Sequence, residues 1–425
     1  LEIPVNQVSQ DPTASLSARL QPGHVARAEF PFFTEAAGGA YLDSAATTQK
    51  PRQVLDSLRN TLINFNANVH RGAYRISAQA TELYDAARVK VATYLNAPSE
   101  RHIVFTRGAT ESINLVAYAL EASFNEGDVI LLSLLEHHSN IVPWQMLAKR
   151  KGLRVVFTEI TPSGELDMSD YKAKLSSLKP KLVAITQLAN SLGTITPIAE
   201  IVSLAKASGA TVLVDGAQGV VHLGVDVQAL GCDYYVFSGH KMYGPTGIGV
   251  LYGSWEALSA LRPFQGGGDM ISYVSTEGFG IAEIPQRFEA GTPAFHEAIA
   301  LGAAVDFLSR FSRKEVEAHE RHLVQEAIAM LRSEEGVVVH GPASVGGEQT
   351  SLVAFSMGIV HPHDFATIAD THNVQVRAGN HCAMPTLRKL GLQATARMSF
   401  GVYTIPEDIA QVQAAIREAR RLFSR

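Results

Sequence analysis

The sequence predicts an α/β fold: a mostly parallel sheet covered by helices on both faces, then a smaller α+β unit. Two observations carry that expectation. Through the middle of the 425-residue chain, short apolar runs alternate with amphipathic stretches, which is the pattern of strand–helix repeats. After Pro293 the texture changes to two long helical patterns followed by short strand candidates.

Taken in order, Ile103-Val104-Phe105-Thr106 is the first strand candidate, and a helical pattern follows through Ser112 to Tyr118. Val129-Ile130-Leu131-Leu132 precedes a helical stretch over 141–147, and Leu182-Val183-Ala184-Ile185 precedes one over 198–205. Three more runs are Thr211-Val212-Leu213-Val214, Tyr234-Tyr235-Val236-Phe237 and Ile248-Gly249-Val250-Leu251-Tyr252. Beyond Pro293, residues 297–311 and 314–332 read as helices, the second stopped by Gly336. Strand candidates follow at 336–339, 351–355, 374–376 and 398–400, with helical patterns at 364–371 and 406–423. The expected division is a segment over 1–35 packing beside the small domain, a large domain over 36–293 and a small domain over 294–425.

Bulk properties narrow the function. Hydrophobic residues make up 46% and charged residues 18% of the chain, ordinary for a soluble enzyme. A formal net charge of −5 supplies no basic field for nucleic acid. No run approaches the roughly 18 apolar residues of a membrane span, and the first 27 residues lack the apolar core of a secretory signal. Cys232 and Cys382 are the only cysteines. Two thiols make no disulfide framework and no four-thiolate metal site, and they suit a reducing cytoplasm.

In parallel sheets, ligands bind outside the carboxyl ends of the strands. Gly108, Glu136 and His137, Asn190, Asp215 and Ser238 fall there. Lys241 lies just past one apolar run and Asp215 at the end of another, 26 positions apart. A lysine taken out of water has a lowered pKa and becomes a nucleophilic amine. Pyridoxal phosphate needs such an amine, and a carboxylate to keep its ring nitrogen protonated. A lysine paired with an acid on a solvated loop is the plainer reading. Gly108-Ala109-Thr110 joins a strand to a helix and reads either as a phosphate cradle or as a simple N-cap. His137 reads as a ring that could stack and exchange protons, as surface polarity, or as a metal ligand, although no Cys or Asp cluster has ligand spacing. Cys382 reads as an inert buried side chain or as a reactive thiol. Gly379 and Pro385 bracket it in a turn-rich loop, which favours exposure and mobility. Cys232 begins a strand candidate and is assigned to the core.

Several motifs in sequence order resemble those of class V, fold-type-I pyridoxal-phosphate enzymes. They are Arg107-Gly108-Ala109-Thr110-Glu111, Asp215-Gly216-Ala217-Gln218, Ser238-Gly239-His240-Lys241 and Glu289-Ala290-Gly291-Thr292-Pro293. Glu136-His137-His138-Ser139-Asn140-Ile141-Val142-Pro143-Trp144-Gln145 and Arg377-Ala378-Gly379-Asn380-His381-Cys382-Ala383-Met384-Pro385 are similar to the group II cysteine desulfurases, the SufS and CsdA type. The resemblance runs from about Tyr41 to the C-terminus.

That resemblance implies a large domain with a seven-stranded sheet and a role for each matching residue. Lys241 would carry pyridoxal 5'-phosphate covalently, Asp215 would pair with its ring nitrogen, and Gln218 would bond its ring hydroxyl. His137 would stack on the ring. Gly108, Ala109, Thr110, Ser238 and His240 would hold the phosphate, with Thr292 reaching in from a second subunit of a homodimer. Asn190 would sit beside cofactor and substrate, and Arg397 would clamp the substrate carboxylate. Arg377, His70 and Arg71 would line the entrance. Cys382 would take sulfur from L-cysteine as a persulfide and pass it to a SufE- or CsdE-like acceptor protein for iron–sulfur cluster assembly. The rival activities are selenocysteine lyase and another class V lyase or aminotransferase. Two departures stand out: Asn380 where many relatives have a second His, and no Asn between Tyr403 and Thr404.

Overall fold

The computed structural model describes residues 19–36, 38–70 and 72–424. Its largest feature is a seven-stranded mixed sheet. The strands are β1 (Ile103–Thr106), β2 (Val129–Ser133), β3 (Arg154–Thr158), β4 (Leu182–Thr186), β5 (Thr211–Asp215), β6 (Tyr234–Ser238) and β7 (Gly249–Gly253). Their spatial order is β1-β7-β6-β5-β4-β2-β3. From β6 to β3 every pair is parallel. Only β7 departs from the parallel expectation, running antiparallel to both β1 and β6. The cause is the connection. Residues 239–248 join β6 to β7, and a parallel return needs a crossover of a dozen or more residues. The edge strand β3 escapes the sequence pattern because its apolar core is only Val155-Val156-Phe157 and most of its side chains stay partly exposed.

Alternate side chains of each strand feed opposite faces. Val104, Ile130, Leu132, Ala184 and Leu213 pack with Ile113, Trp144 and Leu147 from the helices Ala109–Ala119 and Val142–Lys151. Phe105, Leu131, Val183, Val212 and Val214 face the other way, toward Tyr171, Leu175, Ile201 and Val202 on the helices Met168–Leu178 and Ile198–Ala207. Both faces are therefore dry, as near-continuous apolar strands require.

A second sheet is antiparallel, in the order Val337–His340, Leu352–Met357, Thr395–Ser399, Arg377–Gly379. The helices Arg313–Ser333, Pro362–Thr371 and Pro406–Phe423 bury its apolar side in a separate cluster. Ala40–Tyr41 pairs in parallel with Val374–Gln375. The adjoining Asp43 bridges to Ser399, so an early stretch of chain is delivered to the late sheet. Upstream, Arg27 donates to the Asp408 carboxylate at 2.8 Å, and the Phe30 ring meets Tyr403 edge-on at 4.8 Å. Residues 1–18 lie outside the described residues. Among the described residues no helix is long and apolar enough to cross a membrane.

Candidate active site

A cavity of about 260 Å³ opens at the carboxyl ends of the large sheet, where the small sheet leans over it. Ala109, Thr110, His137, Asn190, Asp215, Gln218, Ser238, His240 and Lys241 line one side, and Arg377, His381, Cys382 and Arg397 line the other. Asp215 is the last residue of β5 and is buried. Its Oδ1 accepts the Ala217 N–H at 2.9 Å, and it has no ion-pair partner among the described residues. Burial raises its pKa, against the Ala217 bond and the Lys241 charge. Lys241 ends the single 3-10 turn Gly239–Lys241 after β6. Burial lowers its pKa, and the charges of Arg397 and Arg377 add to that, while Asp215 and Cys382 oppose. The outcome is a more available amine in the same cavity as a buried carboxyl that makes no ion pair among the described residues.

Beside them begins the Ala109–Ala119 helix, with Gly108 as its N-cap. The Ala109 N–H donates to Ser238 Oγ at 2.9 Å. Strand β7 passes so close that a Cβ on Gly249 would collide with the Gly108 backbone. The His240 carbonyl accepts from Lys50 Nζ at 2.9 Å. Burial, Lys241 and Lys50 push the His240 imidazole down to about 4, so the ring is neutral at pH 7.

The turn after β2 fixes His137. Its Nδ1 accepts the Ser139 N–H at 3.1 Å and lies 2.7 Å from Ser139 Oγ. An acceptor at Nδ1 puts the neutral ring's proton on Nε2. Burial and the nearby Lys241 hold this ring down to about 3. Sequence reading gave Glu136 no more than a strand-end position, yet it anchors the turn. Its buried carboxyl accepts from Ser133 Oγ at 2.5 Å, Asn140 Nδ2 at 2.6 Å and the Thr186 N–H at 3.0 Å. Burial pushes it up to about 8 against those three donors. Gln218 Nε2 donates to the Ala45 carbonyl at 2.7 Å, and Asn190 Nδ2 to the His381 carbonyl at 2.7 Å.

On the small-sheet side Arg397 is buried. Its guanidinium donates to the Asn190 carbonyl at 2.7 Å and to Asp43 Oδ1 at 3.0 Å, while Nε has no partner. Arg377 stands opposite Arg397 in register and lies 3.7 Å from Asp43 Oδ2. Two guanidiniums thus share one carboxylate, which leaves the cavity mouth positive. Asp43 was missed as a site residue. Its sole sequence signal is its place just after Tyr41, where the resemblance begins.

Cys382 is half-buried and borders the same cavity as Lys241. His381 and Cys382 are consecutive residues with φ near 52° and 55°, a left-handed conformation that costs energy without glycine. Asn380 compensates: its Oδ1 accepts the Cys382 N–H at 3.0 Å. The loop is thus held by specific bonds, where the sequence suggested simple mobility. His381 is buried, with Nε2 2.8 Å from Thr395 Oγ1 and Nδ1 without a partner. Cys232, expected to begin a strand, lies buried two residues before β6, and burial pushes its thiol up to about 12.

Two expected residues, His70 and Thr292, do not line this cavity. The His70 ring packs edge-on to Tyr84 at 5.8 Å, 3.9 Å from Asp85. Thr292 is exposed and lines a separate cleft with Arg107 and Glu289. Arg71 lies outside the described residues. Among the described residues no cluster of His, Cys, Asp or Glu could hold a metal ion.

Residues 40–412 match the family model for aminotransferase class-V. A protein of Dickeya dadantii named cysteine desulfurase is 45% identical over 401 residues, covering 93% of this chain and 96% of its own length. Among solved structures, the cysteine desulfurase CsdA of Escherichia coli superposes with a TM-score of 0.87 at 39% identity, covering 93% of this chain and 98% of its own. The apo cysteine desulfurase of Thermococcus onnurineus NA1 gives 0.89 at 37% identity, covering 96% of this chain and 99% of its own. The chain belongs to the class-V aminotransferase family and, within it, to the cysteine desulfurases.

Proposed function

We propose that this chain is a pyridoxal-phosphate-dependent cysteine desulfurase that converts L-cysteine to L-alanine and retains the sulfur on Cys382. The observation that carries this reading is that an amine, a guanidinium and a thiol, at Lys241, Arg397 and Cys382, line one cavity. The residues suit the cofactor. Asp215, buried without an ion-pair partner among the described residues, would pair with a protonated ring nitrogen. The start of the Ala109–Ala119 helix, with Thr110, Ser238 and His240, offers donors to a phosphate. Gln218, Asn190 and His137 would hold the cofactor's ring, and Lys241 would carry it covalently. When bound, pyridoxal phosphate supplies a sink for electrons from the substrate's α-carbon.

The chain's own groups do the rest. Arg397 holds the substrate carboxylate and fixes the direction of the Cα–H bond. Lys241 Nζ, its pKa lowered by burial, takes the α-proton. Cys382 Sγ attacks the substrate sulfur as thiolate. The S–S bond forms as the C–S bond breaks, so that L-cysteine and a thiol become L-alanine and a persulfide. The positive mouth made by Arg377 and Arg397 attracts the carboxylate of the substrate. In a homodimer, Thr292 of the second copy would complete the phosphate site, with His70 and Arg71 at the entrance. A SufE- or CsdE-like protein in the cytoplasm would accept the sulfur.

Alanine and sulfide release from L-cysteine, with and without candidate acceptor proteins, tests the reading. Equimolar alanine and transferred sulfur is the expected result. Inactivity toward L-cysteine with turnover of L-selenocysteine would instead mark a selenocysteine lyase.

A further inference from the structure

We infer that His138 is a positioning residue for the Cys382 loop, holding the chain on the C-terminal side of the thiol-bearing residue through two bonds. Its backbone N–H donates to the Cys382 carbonyl at 2.8 Å. Its ring Nε2 accepts the Met384 N–H at 3.2 Å. The two bonds thus pin the stretch from the Cys382 carbonyl to Met384 to a single residue of the opposite wall. The inference rests on the reading of Cys382 as the sulfur acceptor and adds to it the question of what keeps that thiol presented.

The loop needs such a hold. Two successive non-glycine residues at positive φ persist only where surrounding contacts over-determine them. Asn380 and Asn190 supply two of those contacts, on the Cys382 N–H and the His381 carbonyl. His138 supplies the two on the far side of the thiol. Met384 opens the short Met384–Lys389 helix, and a first-turn N–H has no partner inside its own helix. The His138 ring fills that role.

His138 is well placed to transmit rigidity. It opens the His138–Asn140 turn, and that turn is tied through Asn140 and Glu136 to Ser133 at the end of β2, and through Asn140 to Trp144 on the following helix. The neighbouring rings take opposite tautomers. His137 accepts at Nδ1 and His138 at Nε2, so one serves its own turn while the other serves the loop. Burial lowers the His138 pKa, which favours the neutral ring that acceptance demands. The bland alternative is a half-exposed polar ring whose bond to Met384 water would replace at no cost.

The test uses the holoenzyme and follows alkylation of Cys382 by iodoacetamide beside steady-state turnover of L-cysteine. His138→Leu removes the ring acceptor and leaves the backbone bond. Loss of one such bond is expected to speed alkylation about fivefold and lower kcat about fivefold, with KM and cofactor absorbance unchanged. His138→Gln, whose side-chain oxygen can replace Nε2, should restore both. Parent-like alkylation and kcat in His138→Leu, or no recovery with Gln, would overturn the assignment. Should the Leu variant fail to fold, His138→Asn, too short to reach Met384, is compared with Gln on the same two readouts. Alkylation reports on the loop even if L-cysteine proves not to be a substrate, so failure of the desulfurase reading registers separately in alanine release.

Discussion

On the large-sheet side of the cavity, the functional side chains hang from the ends of buried strands or the tight turns that follow them. On the small-sheet side, Arg397 sits within a strand, but Cys382 rides on a loop with two left-handed residues. The first wall is stiff because both faces of its sheet are packed. The second is held by individual hydrogen bonds to Asn380, Asn190 and His138. The division suits two demands. A cofactor needs fixed partners, whereas under the proposed reading the Cys382 thiol collects sulfur, gives it to an acceptor, and so meets two partners in turn.

The largest test of that contrast pairs Lys241→Ala with Cys382→Ser. Each should cut alanine release from L-cysteine by at least about 100-fold. Only the first should abolish the absorbance of covalently held cofactor. Loss of that absorbance in both variants would mean that the walls are not separable. Next in size is Arg397→Lys, which keeps the charge and loses the planar fork. We expect a rise in KM for L-cysteine of about tenfold, with kcat changed much less. An unchanged KM would remove Arg397 from carboxylate binding.

The smallest effect concerns His381, held down to about 3 from its ordinary 6.5 mainly by burial, with Arg397 and Arg377 adding. Between those values the unfolded chain binds a proton that the folded chain refuses, so stability falls as pH falls through that window. From pH 7 to 5.5, this histidine should cost about 1 kcal/mol. Urea unfolding of the parent and His381→Asn at both pH values measures it. An equal loss in the two proteins would show that His381 titrates normally.

Much of the large-sheet wall was legible because each chemical residue follows an apolar run. Asp215 and Lys241 could be picked out by adjacency to Val214 and Phe237. The antiparallel direction of β7 was legible in principle, through the short span after Lys241, but hydrophobic pattern alone carries no direction. Helices such as Arg52–Asn64 and Arg75–Tyr94 went unread, being polar on most of their surface. Asp43 was invisible as a partner of Arg397 because 354 positions separate them, and no local pattern reports a pairing across that distance. The role of Asn380 was equally hidden, since a side chain that caps its own loop looks like any turn residue.

Gly249 and Gly108 leave no space between their backbones for a β-carbon. One α-carbon belongs to the strand leaving the lysine turn, and the other caps the helix that offers its N–H groups. Their direct apposition therefore acts as a gauge for the site, setting the span a bridging molecule must match. A methyl group at position 249 would work as a shim, prising the helix start off the strand and putting the two anchorage points out of step.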